Sequence, residues 1–358
     1  MCADRNLSDP VNAARARQRG LSIIELMVGL VVALIVGLAA TSSAVMFGAT
    51  QRQGIGVGGV AVNINTALAA LKNDAATAGL GFFGDARYLC SRLNLSAGAT
   101  VHFNGAPFAP VSIARAAGLD RLDVMQSTRV ESGANVMLAA ASNGSQAQLK
   151  SFVPATVGDA VLLSPENAAD PCTVRSVTAV TPSTDDDPQT LDFGAGGVHN
   201  DGTFSTPPAY TDSGGVTLLG QLRWQRYRLN GTDLLLEQPM DGTSAVLARN
   251  VIGFRAQYGI SSTVLASKTL ENWVDATGTF AALTPANIPR VRAVRIGVVV
   301  RSPQREKPDG AGQCEASLSK PELFGAVVEP DVTDWTCYRY RSAIVVIPLR
   351  NLVLGIKT

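Results

Sequence analysis

Apolar and polar positions divide the chain into three zones. From Leu21 to about Gly48 the residues are apolar on every side of a helix, and past Glu25 no charged residue appears until Arg52. At a rise of ~1.5 Å per residue that interval spans roughly 37 Å, more than the ~30 Å core of a bilayer. Residues 21–48 are therefore expected to form a membrane-spanning half-helix, with Gly29 and Gly37 on roughly one face where a second helix could approach. The next zone, 49–80, opens on a glycine-rich weak point at Gln51–Gly59, where each glycine costs ~1 kcal/mol relative to alanine. Beyond it Val60, Ile64, Leu68, Leu71 and Ala75 recur at three- and four-residue steps, with Asn63, Asn65, Lys72 and Asn73 on the other side. This amphipathic half should lie against a globular domain and end at Gly79 and Gly81.

In the third zone, 81–358, short apolar runs alternate with Gly, Pro, Ser and Asp. Strands are expected at Arg121–Gln126, Gln148–Val153, Ala160–Leu163, Thr173–Val180, Val246–Tyr258 (broken at Gly253), Val291–Arg301 and Ser342–Pro348. Gly220–Leu229 and Thr232–Gln238 flank Asn230-Gly231, a hairpin signal because both residues tolerate positive φ. Thr181–Asp187 and His199–Gly215 read as exposed loops. The rhythm predicts an α+β chain in which one long helix packs on an antiparallel sheet, or on two.

Composition adds orientation. Charged residues are 16% and hydrophobic ones 46%, enough for a sizeable core. Of the net charge of +1, residues 1–20 supply four Arg (Arg5, Arg15, Arg17, Arg19) against Asp4 and Asp9, leaving the rest near −1. Basic residues cluster before the apolar run, so this leader stays cytoplasmic and the bulk is exported. A near-neutral body carries no electrostatic footprint for nucleic acid. Of the five cysteines, Cys2 lies in the leader; Cys90, Cys172, Cys314 and Cys337 remain on the oxidising side. They allow three connectivities. Cys314–Cys337, closing a polar loop, with Cys90–Cys172 as the second bridge is favoured over free buried thiols.

Glu25 demands an explanation, because a carboxylate near the start of a membrane-length helix is costly and usually has a partner. Cutting after Gly20 would create one, the new amine of Leu21. A basic leader ending in Gly20, then apolar Leu21, then Glu25 as the fifth residue resembles the cleavage and methylation motif of type IV prepilins, although Phe is commoner than Leu at the first mature position. A secretory signal cut near Ser42-Ser43-Ala44 fits less well, since Glu25 would interrupt its apolar segment.

Four later stretches, Trp224–Leu229, Asn250–Gly259, Val294–Ser302 and Tyr340–Asn351, resemble the PilW-type minor pilins. That resemblance implies a type IV pilin-like fold. It also implies processing by a prepilin peptidase between Gly20 and Leu21, N-methylation of Leu21, and Glu25 as the assembly carboxylate. Implied partners are other minor pilins, the major pilin and the inner-membrane assembly platform, with passage from the inner membrane to the pilus. Implied roles are priming of pilus assembly, tip location, adhesion, twitching motility and DNA uptake. A secretion pseudopilin of the J type shares the N-terminal motif; the K type lacks the glutamate. A membrane-anchored adhesin is the alternative from another class.

Catalysis has little to stand on: no Gly-x-Ser-x-Gly, His-Glu-x-x-His or phosphate loop occurs, and no cofactor or metal is expected. His102 and His199 read as loop residues, and Asp185-Asp186-Asp187 and Asn200-Asp201-Gly202 as solvated loops lacking EF-hand spacing. Arg226, Arg228, Arg339 and Arg341 alternate with Trp224, Tyr227, Tyr338 and Tyr340. The pattern could bind DNA strands by stacking and charge, but it reads better as solvent faces of strands with aromatics turned inward or lying beside the Arg stems.

Overall fold

A computed structural model describes residues 22–82, 90–116, 119–129, 135–167, 169–261, 269–284 and 286–354. One α-helix runs Ile23–Thr77, 55 residues, and takes in the glycine-rich stretch expected to be its weak point. The chain divides into two units, the first ending at Ile55 and the second beginning at Gly56. In the first, Ile23–Ala44 is long and apolar enough to cross a membrane. The large apolar side chains from Ile23 to Leu38 are all more than half exposed, so no domain core accounts for their hydrophobicity. In the second unit Ile64, Ala67, Leu68, Leu71 and Ala75 are buried, while Asn65, Lys72 and Asn73 are exposed, as the three-and-four spacing requires.

The helix ends where glycine permits a left-handed turn. Gly79 has φ 79°, and its N–H donates to the Met125 carbonyl at 3.0 Å. The amide of Asn351 donates to the carbonyls of Thr77 and Ala78 at 3.3 and 3.1 Å, meeting acceptors that the helix itself leaves open.

Among the described residues the strands form five sheets rather than one or two. A five-stranded sheet has the order Thr243–Ala248, Asp233–Gln238, Leu222–Asn230, Leu119–Ser127, Val111–Ala116, and a four-stranded sheet the order Asn272–Val274, Val251–Ile260, Val291–Arg301, Tyr340–Pro348. Their inward side chains, among them Val124, Tyr227, Phe254, Ile296 and Ile347, share one core with the buried helix face. A six-stranded sheet has the order Thr100–Pro107, Arg92–Ala97, Cys172–Ser176, Ala160–Ser164, Gly215–Gly220, Asn135–Met137. Together with a three-stranded sheet of Gln146–Leu149, Gln189–Asp192 and Ala179–Thr181, it encloses a second core around Leu149, Val161, Leu191 and Val216. The hairpin Glu322–Leu323/Ala326–Val327 adds a third cluster, Leu323 and Val328 against Ile252 and Val299.

Several expected boundaries move, each for a local reason. The hairpin turn is Gly231-Thr232, not Asn230-Gly231, because Asn230 pairs with Asp233. This register sets Tyr227 opposite Leu236 and Leu229 opposite Leu234; a one-residue slip would turn those apolar side chains to the other face. Gly231 takes φ 58°, as at the first central position of a type II′ turn. The run Val246–Tyr258 breaks at Arg249-Asn250, where Asn250 adopts φ 58°, and Gly253 instead marks a bulge against Val291–Arg301. Gln148–Val153 yields a strand ending at Leu149, and Thr173–Val180 splits after Ser176. His199–Gly215 is no plain exposed loop, since His199, Phe204 and Tyr210 are buried.

Candidate functional site

Ser22 and Glu25 cap the start of the long helix reciprocally. The Ser22 hydroxyl accepts from the Ile24 N–H at 3.3 Å, and the Glu25 carboxylate accepts from the Ser22 N–H at 3.1 Å. This is a variant of the Ser-x-x-Glu capping box, with the hydroxyl on the second helical N–H instead of the third, and it places an acid at the positive end of the helix dipole. The Ser22-Ile23-Ile24-Glu25 spacing is visible in the sequence, yet a reading that looks only for a cationic partner of Glu25 misses it. Among the described residues Glu25 has no cationic partner; Gly20 and Leu21, the expected cleavage and methylation residues, lie outside them. What the geometry supplies is a carboxylate held in the first turn of the helix.

At the other end of the helix a polar joint fixes it to the five-stranded sheet. The Tyr227 hydroxyl donates to the Asp74 carboxylate, and the Thr77 hydroxyl donates to the side-chain carbonyl of Gln126. The Gln126 amide reaches Gln225 at 3.5 Å. Burial raises the pKa of Asp74; the hydrogen bond from Tyr227 and the charge of Arg223 pull the other way without prevailing. Burial, and then the neighbouring Asp74, raise the Tyr227 phenol above its ordinary value. Asp74 was not singled out by sequence, because a lone acid beside Lys72 and Asn73 is indistinguishable from the polar face until Tyr227 is folded over it.

The remaining expected residues fall into structural roles. Cys90 is joined to Cys172 and Cys314 to Cys337, with Cα–Cα distances of 5.7 and 4.8 Å. The first bridge lies beside the parallel pairing of Arg92–Ala97 with Cys172–Ser176, in which Leu93 faces Cys172. His199 is buried, its Nδ1 2.6 Å from the Ser96 carbonyl, and burial lowers its pKa. His102 sits edge-on to Trp224, and burial and then the charge of Arg226 lower its pKa. Asp185, Asp186 and Asp187 are exposed. Asn200 and Asp201 stabilise their own loop through Ser176, Gly194 and Gly196. Among the described residues no three His, Cys, Asp or Glu side chains converge on a metal position.

The arginine–aromatic alternation resolves into cross-strand pairing. Arg226 lies over Trp224 at 5.1 Å and bonds Asp123, while Arg228 bonds Glu237 at 2.6 Å. Tyr227 turns inward, and Arg339 pairs with Glu306.

Comparison with known proteins gives two family matches. Residues 15–41 match the prokaryotic N-terminal methylation motif, and residues 211–351 match the type IV pilus-assembly protein W family. No curated protein matches the chain. Among solved structures it is similar to a type IV-like pilin from Thermus thermophilus. That match is 10% identical and covers 82% of this chain and 97% of that one, with a TM-score of 0.33, too low for one domain to be read onto the other.

Proposed function

We propose that this PilW-like chain, with a prepilin methylation motif ahead of a pilus-assembly segment, is a minor pilin that primes type IV pilus growth. The observation that carries the reading is the coexistence of the two matches, at residues 15–41 and 211–351, in one chain with a membrane-length helix that carries Glu25 in its first turn. In this reading a prepilin peptidase cuts after Gly20 and the new Leu21 amine is methylated. Glu25 then exchanges its local Ser22 contact for a cation within the assembling helices. An uncompensated carboxylate in hydrocarbon costs several kcal/mol, so that exchange would favour one axial register over its neighbours.

The protein is anchored by Ile23–Ala44, presents its strand-rich body outside the inner membrane, and joins other minor pilins before entering the pilus, with the tip as its proposed place. Its part in adhesion, twitching motility and DNA uptake follows from assembly, not from catalysis. The match over 211–351 supports the pilus over a J-type secretion pseudopilin. Intact mass and N-terminal sequencing of the protein purified from its host test the reading. The expected chain starts at an N-methylated Leu21, whereas a chain starting at Met1 or Val45 would sink it.

A further inference from the structure

Strand alternation places Trp224, Arg226 and Arg228 on the face of the five-stranded sheet opposite Tyr227, and therefore opposite the helix. On that face is a cleft of about 340 Å³, lined by Phe103, Phe108, Arg121, Trp224, Arg226 and Leu283 among others. The volume lies at the small end of the ~300–1,000 Å³ range of small-molecule sites. Phe103 and Phe108 come from the strand Thr100–Pro107 and its end, Leu283 from the segment after the 3₁₀ turn Gly278–Phe280, so with the two sheet strands that carry Arg121 and Arg226 at least four chain segments build it.

In the cleft two arginines share one carboxylate. Arg121 and Arg226 both bond the same carboxylate, Asp123, through Nε, at 2.8 and 2.7 Å. Trp224 Nε1 takes the Oδ1 atom as well, at 3.0 Å, and the Asp123 side chain is only 9% exposed. Asp123 is thus buried with three donors on it, while the terminal guanidinium nitrogens of both arginines make no hydrogen bond among the described residues. Three other arginines of the domain have carboxylates of their own: Arg115 has Asp120 and Asp275, Arg255 has Asp275, and Arg228 has Glu237. Two cations against one anion leave a single positive charge in the cleft, with two planar donor forks fixed by their own Nε bonds. Such forks suit a carboxylate. His102, whose pKa is lowered, adds no charge. A polyanion would need the positive track to continue along the sheet, and there Arg228 is already neutralised.

We propose that this cleft binds a small organic monoanion, a carboxylate on a ring-sized body, with Arg121 and Arg226 holding the charged end and Phe103, Phe108 and Leu283 the body. The site is independent of the pilus reading and would persist if that reading failed.

Calorimetric titration of the full-length protein in detergent tests it with four probes: D-glucuronate and benzoate, each against its neutral twin, glucose and benzamide. Inorganic phosphate and acetate serve as ion controls. At least one of the two carboxylates is expected to bind saturably, at least tenfold more tightly than its neutral twin and than either control ion. Arg121→Gln should weaken that binding at least tenfold with an unchanged melting temperature, since the Arg121 side chain is 43% exposed. Arg121→Lys, which keeps the charge and loses the fork, should also bind more weakly than the parent. The proposal is overturned if neither carboxylate saturates in the millimolar range, if a neutral twin or control ion binds as well, or if Arg121→Gln has no effect.

Discussion

At the scale of single residues, Glu25 has two uses for one carboxylate. In the isolated chain it accepts from Ser22 and completes the helix start. An N-terminal cap of this kind is worth about 1 kcal/mol, less than the several kcal/mol at stake when a carboxylate enters hydrocarbon without a counter-charge. The local contact is therefore weak enough to be exchanged. Glu25→Ala should leave cleavage after Gly20 intact and sharply reduce the protein recovered in sheared pili; immunoblots of whole cells and pilus fractions read both at once. Normal incorporation would argue that the carboxylate does no more than cap its helix. Gly297 is a second residue with an identifiable burden. A Cβ there would stand 2.8 Å from Leu323 Cδ2 and 3.0 Å from Phe324 Cζ, so the hairpin Glu322–Val327 rests directly on its backbone. Gly297→Val should destabilise by about 1–3 kcal/mol through overpacking, measured by urea unfolding, with the strand Val291–Arg301 itself retained.

For the long helix as an element, the decisive contacts are at its C-terminal end. Periodicity accounts for the buried Ile64–Ala75 stripe, but the rotation and stop of the helix are set by Asp74 with Tyr227, Thr77 with Gln126, and Asn351 with the last carbonyls. Because burial raises the folded-state pKa of Asp74 above its ordinary 3.8, the fold favours its protonated form. The stability this group contributes is fully present below 3.8 and is lost as pH rises through its elevated folded-state value. Asp74→Asn keeps an acceptor for the Tyr227 hydroxyl and removes the titration. Melting temperature followed from acid to neutral pH should fall less steeply in Asp74→Asn than in the parent, and at neutral pH the variant should be at least as stable. A parallel pair of curves would place the pH dependence elsewhere.

On the scale of the whole molecule, two disulfides tie together a domain in which hairpins are joined by strand pairs distant in sequence, such as Leu119–Ser127 with Leu222–Asn230. Cys90–Cys172 closes a separation of 82 residues and Cys314–Cys337 one of 23. In the chain-entropy account these correspond to about 4.5 and about 3.4 kcal/mol. Replacing Cys90 and Cys172 by serine should therefore lower the unfolding free energy more than the same change at Cys314 and Cys337, a ranking that denaturant titration of the two double variants checks. The first bridge is also the one beside the parallel strand pair, so its loss should appear in hydrogen exchange of Arg92–Ala97 before that of Val291–Arg301.

The sequence alone determined what depends on neighbours along the chain. Composition and three-to-four spacing set the membrane-length segment, the buried helix stripe, the strand Val291–Arg301 and the Gly79 stop. The Gly20-Leu21-Glu25 motif could be read in the same way, because the motif it matches is a linear string. Tertiary structure decided whatever needs two distant segments to meet. A sequence cannot show that Tyr227 lies over Asp74, that Asn250 rather than Gly253 breaks the strand, or that Arg121 and Arg226 converge on one buried Asp123. Each is fixed by cross-strand register, which places apolar side chains inward and leaves polar groups to find partners from whichever strand the sheet brings alongside.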